Sequence, residues 1–122
     1  MVLYSAADLL WASRIKAVAD AVGVPARPVR STQMLDDRLG EGGVRGLLLD
    51  LDAPERAWEL LEHLGGLPEA RASVRVVAFG PHVARDLLQS ARERGADDVL
   101  TRGAFDHDLP ELLVRLEAGA SR

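Results

Sequence analysis

The chain has 122 residues, 15 basic and 19 acidic side chains, a net charge of −4 and no cysteine. One domain spanning residues 1–122 is long enough to fold without a metal or a disulfide, and the composition excludes thiolate chemistry and gives no basic stripe for nucleic acid. Because the sequence has neither a signal-peptide pattern nor an apolar run near 18 residues, we expect a soluble cytoplasmic protein that does not enter a membrane.

The first predicted strand is the apolar segment at residues 2–5. It leads into Ser5-Ala-Ala-Asp8, which fits a capping box with Ser5 at the start of the first helix. Apolar side chains, including that of Trp11, then recur at helical spacing as far as Val22. The pattern predicts an amphipathic helix in which Trp11 packs against the core rather than against a ligand.

The second strand and helix are predicted by weaker signals. Residues 26–30 form a short strand-like segment, and Pro28 favours an edge position because proline cannot donate a hydrogen bond to a neighbouring strand. Ser31 or Thr32 is expected to cap the following helix, which ends at the glycine-rich residues 40–43.

The central strand is predicted at residues 44–51, where apolar residues follow one another without alternation. Such a run is typical of a strand buried on both faces of a parallel sheet. It ends at two carboxylates, Asp50 and Asp52, and Asp52-Ala-Pro-Glu55 predicts a capping box for the third helix. We therefore interpret Asp8 and Asp52 as helix caps rather than metal ligands.

The remaining elements follow the same alternation of strand and helix. Residues 67–72 are expected to form a loop, residues 74–79 a fourth strand, residues 83–94 a fourth helix and residues 99–100 a brief fifth strand. A last helix is predicted to begin at a capping box at residues 108–111.

The alternation predicts a fold. Strands joined by helical crossovers are parallel, and their connections are right-handed. The expected architecture is a three-layer α/β/α sandwich with a five-stranded parallel sheet in the flavodoxin-like order 2-1-3-4-5. In this topology the carboxyl ends of strands one, three, four and five meet at one edge, where we expect Arg102 to pair with Asp50 and lower the pKa of its carboxyl.

Two motifs at these strand ends resemble those of response-regulator receiver domains. Asp50-Leu-Asp-Ala-Pro54 is similar to the D-L-x-x-P that follows the third strand in that family, and Gly95-Ala-Asp-Asp-Val-Leu-Thr-Arg102 is similar to its G-A-D-D-Y-L-x-K. The order of elements agrees over essentially the whole chain. The resemblance implies two-component signal transduction, or a phosphorelay, through a flavodoxin-like domain.

The resemblance also implies a role for each matching position, and several positions depart from the family. Asp50 falls at the phosphoacceptor position and Arg102 at the lysine. The departures are Ala6 and Ala7 at the Mg²⁺-binding acids (with Asp8 one place further on), Gly80 at the Ser/Thr and Val99 at the switch aromatic. Two alanines offer no ligand to Mg²⁺, and glycine has no hydroxyl for a phosphoryl group.

These departures predict a pseudo-receiver, which is a non-enzymatic interaction module without a cofactor or a metal. Its partner is expected to be a protein, such as a histidine kinase or an output protein. Homodimers are expected through the fourth helix, fifth strand and fifth helix. That surface carries Arg85, Asp86, Arg92, Arg94, Asp97, Asp98, Val99 and Arg115.

Two alternatives remain open at this point. In the first, Asp50 is a working phosphoacceptor that uses Mg²⁺. In the second, the pocket formed by Ala6, Asp50, Gly80 and Arg102 binds a small anionic ligand, as pockets at the strand ends of this fold class often do.

Overall fold

The predicted sheet is present in the computed structural model, which describes residues 1–119. These residues form a five-stranded parallel sheet in the order β2-β1-β3-β4-β5, together with six helices. The strands are β1 (Val2–Ser5), β2 (Ala26–Pro28), β3 (Gly46–Asp50), β4 (Arg75–Gly80) and β5 (Asp98–Thr101). The helices are α1 (Leu9–Val22), α2 (Thr32–Glu41), α3 (Pro54–Gly65), α4 (Pro68–Ser73), α5 (Arg85–Glu93) and α6 (Arg102–Glu117).

The helices form two layers because successive side chains of a strand point to opposite faces. Leu47 and Leu49 of β3 pack in one core with α2, α3 and α5, whereas Leu48 packs in a second core with α1 and α6. Every residue of β3 is buried. The expected three-layer α/β/α sandwich, with this strand at its centre, is confirmed.

The edge position of the second strand is also confirmed. Pro28 lies opposite Tyr4 of β1 at one side of the sheet, and β5 forms the other edge. The backbone N–H of Val29 donates to the carbonyl of Tyr4 at 2.9 Å, so pairing with β1 resumes directly after the proline. Proline is tolerated here because no further strand needs its missing donor.

Two helix predictions were wrong. Residues 68–73 form the short helix α4, where we expected a loop. The last helix begins at Arg102 rather than at residue 108, because the side chain of Thr101 accepts the N–H of Ala104 and caps it. The capping-box pattern at residues 108–111 misled the prediction, because these residues lie in the interior of α6, which continues through Pro110. The fourth and fifth predicted helices are therefore α5 and α6.

The start of three helices also differs from the prediction. Asp8 caps α1, whereas Ser5 is the buried last residue of β1. Helix α3 follows Ala53 without a side-chain cap, so the capping box at residues 52–55 does not form. Helix α5 begins at Arg85, which leaves Val83 outside the helix and 76% exposed. No helix among residues 1–119 is long and apolar enough to cross a lipid bilayer.

Candidate functional site

The site lies at the carboxyl edge of the sheet, where parallel strands end side by side. The pairing brings Ser5 next to Leu49, Asp50 next to Phe79, and Gly80 next to Thr101. The ends of β1, β3, β4 and β5 therefore meet as predicted. In open α/β sheets this edge is where ligands and chemistry are found.

Asp50 is the charged residue at the centre of this edge, and its side chain is fully buried. One carboxylate oxygen accepts the backbone N–H of Ala7 at 2.9 Å, and the other accepts the N–H of Asp52 at 3.0 Å. Both oxygens are thus engaged by backbone donors from the segments that follow β1 and β3. Buried polar groups need such partners, because an unpaired one costs a large desolvation penalty.

Burial raises the pKa of the Asp50 carboxyl above its ordinary value of 3.8, and the nearby charge of Asp52 adds to the rise. The two backbone hydrogen bonds lower this pKa, and the charge of Arg102 lowers it least of all. We had expected the pKa of Asp50 to be lowered by Arg102. That expectation was wrong, because desolvation of the buried carboxylate outweighs every favourable contact.

Arg102 pairs with Asp52 instead of Asp50. Its Nη2 donates to the Asp52 carboxylate, and about a third of each side chain is exposed. The predicted ion pair between Arg102 and Asp50 therefore does not form. The interpretation of Asp52 as a cap is also wrong, since its carboxylate holds the first residue of α6 rather than the start of α3.

The segment after β1 contributes backbone rather than carboxylate to the site. Ala7 donates its N–H to Asp50, and Ala6 accepts a long hydrogen bond of 3.5 Å from Arg56 through its carbonyl. Asp8 is exposed and accepts the N–H of Trp11 at 2.9 Å, which confirms its interpretation as a helix cap.

The three carboxylates of this edge are each engaged by groups within the chain. Asp50 is engaged by two N–H groups, Asp8 caps α1, and Asp52 pairs with Arg102. Within residues 1–119 no group of three or more His, Cys, Asp or Glu side chains is arranged to hold a metal. Mg²⁺ binds through carboxylates and water, so this donor set does not fit the ion.

Gly80 lies against Leu51 at the end of β4. A Cβ at position 80 would lie 3.2 Å from the Cβ and 3.5 Å from the Cδ1 of Leu51, and 3.7 Å from the Cδ2 of Leu88. Leu51 is fully buried, and its N–H donates to the carbonyl of Phe79 at 2.9 Å, which fixes its backbone. A Cβ at position 80 would therefore be in tight contact with Leu51, which would have to shift by a few tenths of an ångström.

Comparison with known proteins identifies the fold. No model of a protein family and no curated protein sequence matches the chain. Among solved structures, the signal receiver domain of a histidine kinase from Syntrophus aciditrophicus is 23% identical with a TM-score of 0.77, and the match covers 99% of this chain and 92% of that one. The chain has the fold of response-regulator receiver domains.

Two further solved structures agree on this receiver fold. The chemotaxis response regulator CheY4 of Vibrio cholerae is 11% identical with a TM-score of 0.74, and the match covers 94% of this chain and 96% of that one. NtrX from Brucella abortus, in complex with ADP, is 19% identical with a TM-score of 0.74 over 97% of this chain. The chain spans 26% of the length of that NtrX chain.

Several residues of the surface predicted to bind a partner are engaged in contacts within the chain. Asp97 accepts the N–H of Val76 at 2.7 Å and pairs with Arg71 at 3.1 Å, and Asp98 pairs with Arg75 at 2.7 Å. These two acids therefore fasten β5 to β4 and α4.

Other members of that predicted surface also have neighbours within the chain. Arg94 lies 4.5 Å from the ring centre of Trp58, Val99 packs against the core, and Arg115 lies 4.0 Å from Glu111. Arg85, Asp86 and Arg92 are exposed on α5. Among residues 1–119, these three form no ion pair.

The sequence did not reveal the role of Leu51. It was predicted as the last residue of an apolar strand, and nothing in its spacing indicated contact with a glycine 29 positions later. The indirect signal was Gly80 itself, because glycine in a strand often marks a close approach of neighbouring atoms.

The contact between Gly80 and Leu51 predicts the result of adding a side chain. Gly80→Ser is expected to lower the free energy of unfolding by about 1–3 kcal/mol, because the new Cβ overpacks a filled core. Leu51→Ala alone should cost about 2–5 kcal/mol through its cavity. In the double variant, we expect the loss of unfolding free energy to be smaller than the sum of the two single losses, as measured by urea unfolding.

Gly103→Ser is the matched control, since a Cβ at position 103 meets open space. It should change stability by less than about 0.5 kcal/mol. The packing argument would be contradicted if Gly80→Ser were as stable as wild type. It would also be contradicted if Gly80→Ser cost as much stability in the Leu51→Ala background as in wild type.

The raised pKa of Asp50 predicts a pH dependence of stability. The unfolded chain loses this proton near pH 3.8, but the folded chain keeps it to a higher pH. Between the two pKa values, raising the pH therefore lowers the free energy of unfolding. Asp50→Asn removes the titration, so wild type should lose stability relative to this variant as the pH rises through that interval.

Denaturant unfolding of both proteins across a pH series measures the difference. Asp50→Asn also alters one of the two hydrogen bonds, which shifts its stability by an amount that does not depend on pH. The decisive quantity is therefore the slope, against pH, of the difference in unfolding free energy between the two proteins. A wild type that gains stability relative to the variant on raising the pH would show that the pKa of Asp50 is lowered.

Proposed function

We propose that this chain is a pseudo-receiver, a non-enzymatic signalling module that binds a protein partner without Mg²⁺-dependent phosphorylation of Asp50. The observation that carries the proposal is the environment of Asp50, whose two oxygens are both engaged by backbone N–H groups in a fully buried position. A phosphoacceptor carboxylate needs an accessible oxygen and a cation to neutralise the incoming charge.

The neighbours of Asp50 support the same proposal. Transfer of a phosphoryl group to a carboxylate depends on charge neutralisation, and Arg102, whose positive charge acts on Asp50, is already paired with Asp52. A hydroxyl at position 80 would contact the phosphoryl group in the receiver family, but Gly80 has none, and a Cβ added there would lie 3.2 Å from the Cβ of Leu51. Val99 replaces the aromatic residue of that family and remains half-buried against the core.

The partner of such a module is a protein. The solved structures with this fold include a receiver domain of a histidine kinase and response regulators, which favours a histidine kinase or an output protein as the partner. In this proposal the module acts through contact with that protein.

Incubation with a phosphoryl donor tests the proposal directly. We expect no mass increase and no Asp50-dependent change in amide spectra when the protein is mixed with Mg²⁺ and acetyl phosphate, or with beryllofluoride. A phosphorylatable receiver domain treated in parallel is the positive control, and Asp50→Asn is the matched negative control. A stable adduct on wild type that is absent from Asp50→Asn would overturn the proposal in favour of a working phosphoacceptor.

The exposed face of α5 is the proposed contact surface, and it predicts self-association. Arg85, Asp86 and Arg92 carry both signs of charge on one helix, so two copies can pair them reciprocally about a two-fold axis. The double variant Arg85→Glu, Arg92→Glu should remain monomeric at concentrations where wild type forms dimers, as measured by sedimentation velocity.

Lys16→Glu with Arg30→Glu is the control, because it changes the net charge equally at two exposed residues outside α5, one on α1 and one between β2 and α2. We expect this control to dimerise as wild type does. If both pairs of substitutions weakened dimerisation equally, the effect would be a general one of charge, and an interface on α5 would be contradicted.

A further inference from the structure

A large open cleft lies beside the buried Asp50 site. It has a volume of about 910 Å³ and is formed by the start of α1, the connection between β4 and α5, and the start of α6. Its lining includes Arg102 but not Ala6, Asp50 or Gly80, so it differs from the anion pocket expected from the sequence. Small-molecule sites have volumes of roughly 300–1,000 Å³.

One wall of the cleft is apolar and rigid. The ring of Trp11 lies 5.4 Å from that of Phe79 and 5.7 Å from that of Phe105, and these two phenylalanines are stacked at 3.8 Å in the core. Trp11 is thus held by aromatic contacts on its inner side while it lines the cleft. A fixed indole of this kind offers a surface on which a flat ring can stack.

The rim of the cleft exposes large apolar side chains to water. Leu10 and Val83 are each 76% exposed, and both line the cleft. Leu9, the neighbour of Leu10, is 80% exposed but is not part of the lining. Exposed apolar side chains that gather around one concave surface, rather than scattering singly, indicate a binding site.

The polar part of the lining is mainly basic. Arg14, His82 and Arg102 line the cleft together with a single carboxylate, that of Asp106. Arg14 pairs with Asp106 at 2.9 Å, but each side chain is 48% exposed, and exposed pairs of this kind contribute little and exchange readily with another anion. The chain as a whole has a net charge of −4, so the cleft is more basic than the rest of the molecule.

Arg102 has donor capacity that the chain does not use. Its Nη2 donates to Asp52, but its Nε is buried and has no hydrogen-bond partner among residues 1–119. The guanidinium lies 5.8 Å from the ring centre of Trp11, at the first turn of α6. An anion in the cleft would contact the exposed part of the Arg102 guanidinium, beside its pair with Asp52, and would also meet the positive end of the α6 dipole.

We propose that this cleft binds a small ligand that combines a flat aromatic body with one anionic group. The aromatic body stacks on Trp11 between Leu10 and Val83, and the anionic group binds Arg102 and Arg14. The proposal goes beyond the interaction module described above, because it gives the domain a chemical input that does not involve Asp50. It also stands without that function, since it rests on the cleft alone.

A matched pair of dyes tests both parts of the recognition. The probes are 8-anilinonaphthalene-1-sulfonate and N-phenyl-1-naphthylamine, which share an aromatic body but differ in the sulfonate. Titrations are followed by energy transfer from tryptophan in a Trp58→Phe background, where Trp11 is the remaining tryptophan of the two in the chain. We expect saturable binding of the sulfonate and weaker binding of the neutral dye.

Three variants locate the binding. Leu10→Ser and Val83→Ser should each raise the Kd of the sulfonate about tenfold through lost apolar contact. Arg102→Gln should raise the Kd of the sulfonate about tenfold while it changes that of the neutral dye little. Leu9→Ser is the control, because it removes an equally exposed leucine from outside the lining and should leave both affinities unchanged.

Near-ultraviolet circular dichroism and thermal unfolding establish that each variant is folded before titration. The proposal is overturned if the sulfonate does not bind, if the neutral dye binds equally well, or if Leu9→Ser weakens binding as much as Leu10→Ser does. It is also overturned if dye binding survives all three cleft substitutions. Phosphoryl loading of Asp50 is measured separately, so failure of the cleft and failure of the pseudo-receiver proposal are distinguished.

Discussion

Two backbone N–H groups and one buried carboxylate join the ends of the first and third strands. Asp50 accepts from Ala7 after β1 and from Asp52 after β3, and this arrangement ties the two segments to the centre of the sheet. The contacts leave the carboxylate desolvated with a raised pKa, because two neutral donors do not fully replace water around a charge. The position of both segments at this edge therefore depends on two hydrogen bonds that offset only part of the cost of burying Asp50.

The residues around Asp50 enclose it in the interior of the domain. Leu51 packs against Gly80, and Arg102 reaches outward to Asp52 rather than inward to Asp50. The arrangement separates two regions that would share one pocket if Arg102 faced Asp50. The acid lies in the interior, whereas the positive charge lies at the rim of an apolar cleft.

The fold could be predicted from the sequence because its strongest signals are local. The unbroken apolar run before Asp50, the edge-favouring Pro28 and the regular alternation of strands and helices each follow from burial or backbone chemistry. The errors came where two local patterns compete. Residues 108–111 resemble a capping box but lie inside α6, whose start is set by the hydroxyl of Thr101.

The candidate site was predicted less well, because it depends on contacts between distant residues. Sequence position indicated that Asp50 and Arg102 share an edge of the sheet, but it could not indicate which acid the arginine contacts. Asp52, two residues after Asp50, was the partner. Nor could spacing reveal that Leu10 and Val83 gather around Trp11, since that depends on how the β4–α5 connection folds.

The contact between Gly80 and Leu51 also bears on how such a domain can evolve. A Cβ at position 80 would lie 3.2 Å from that of Leu51, so a larger residue there weakens the fold unless Leu51 moves aside. The reverse order, starting from a smaller residue at position 51, opens a void in the core. Either single substitution gives a less stable protein, and selection for stability therefore preserves the pairing of glycine at position 80 with leucine at position 51.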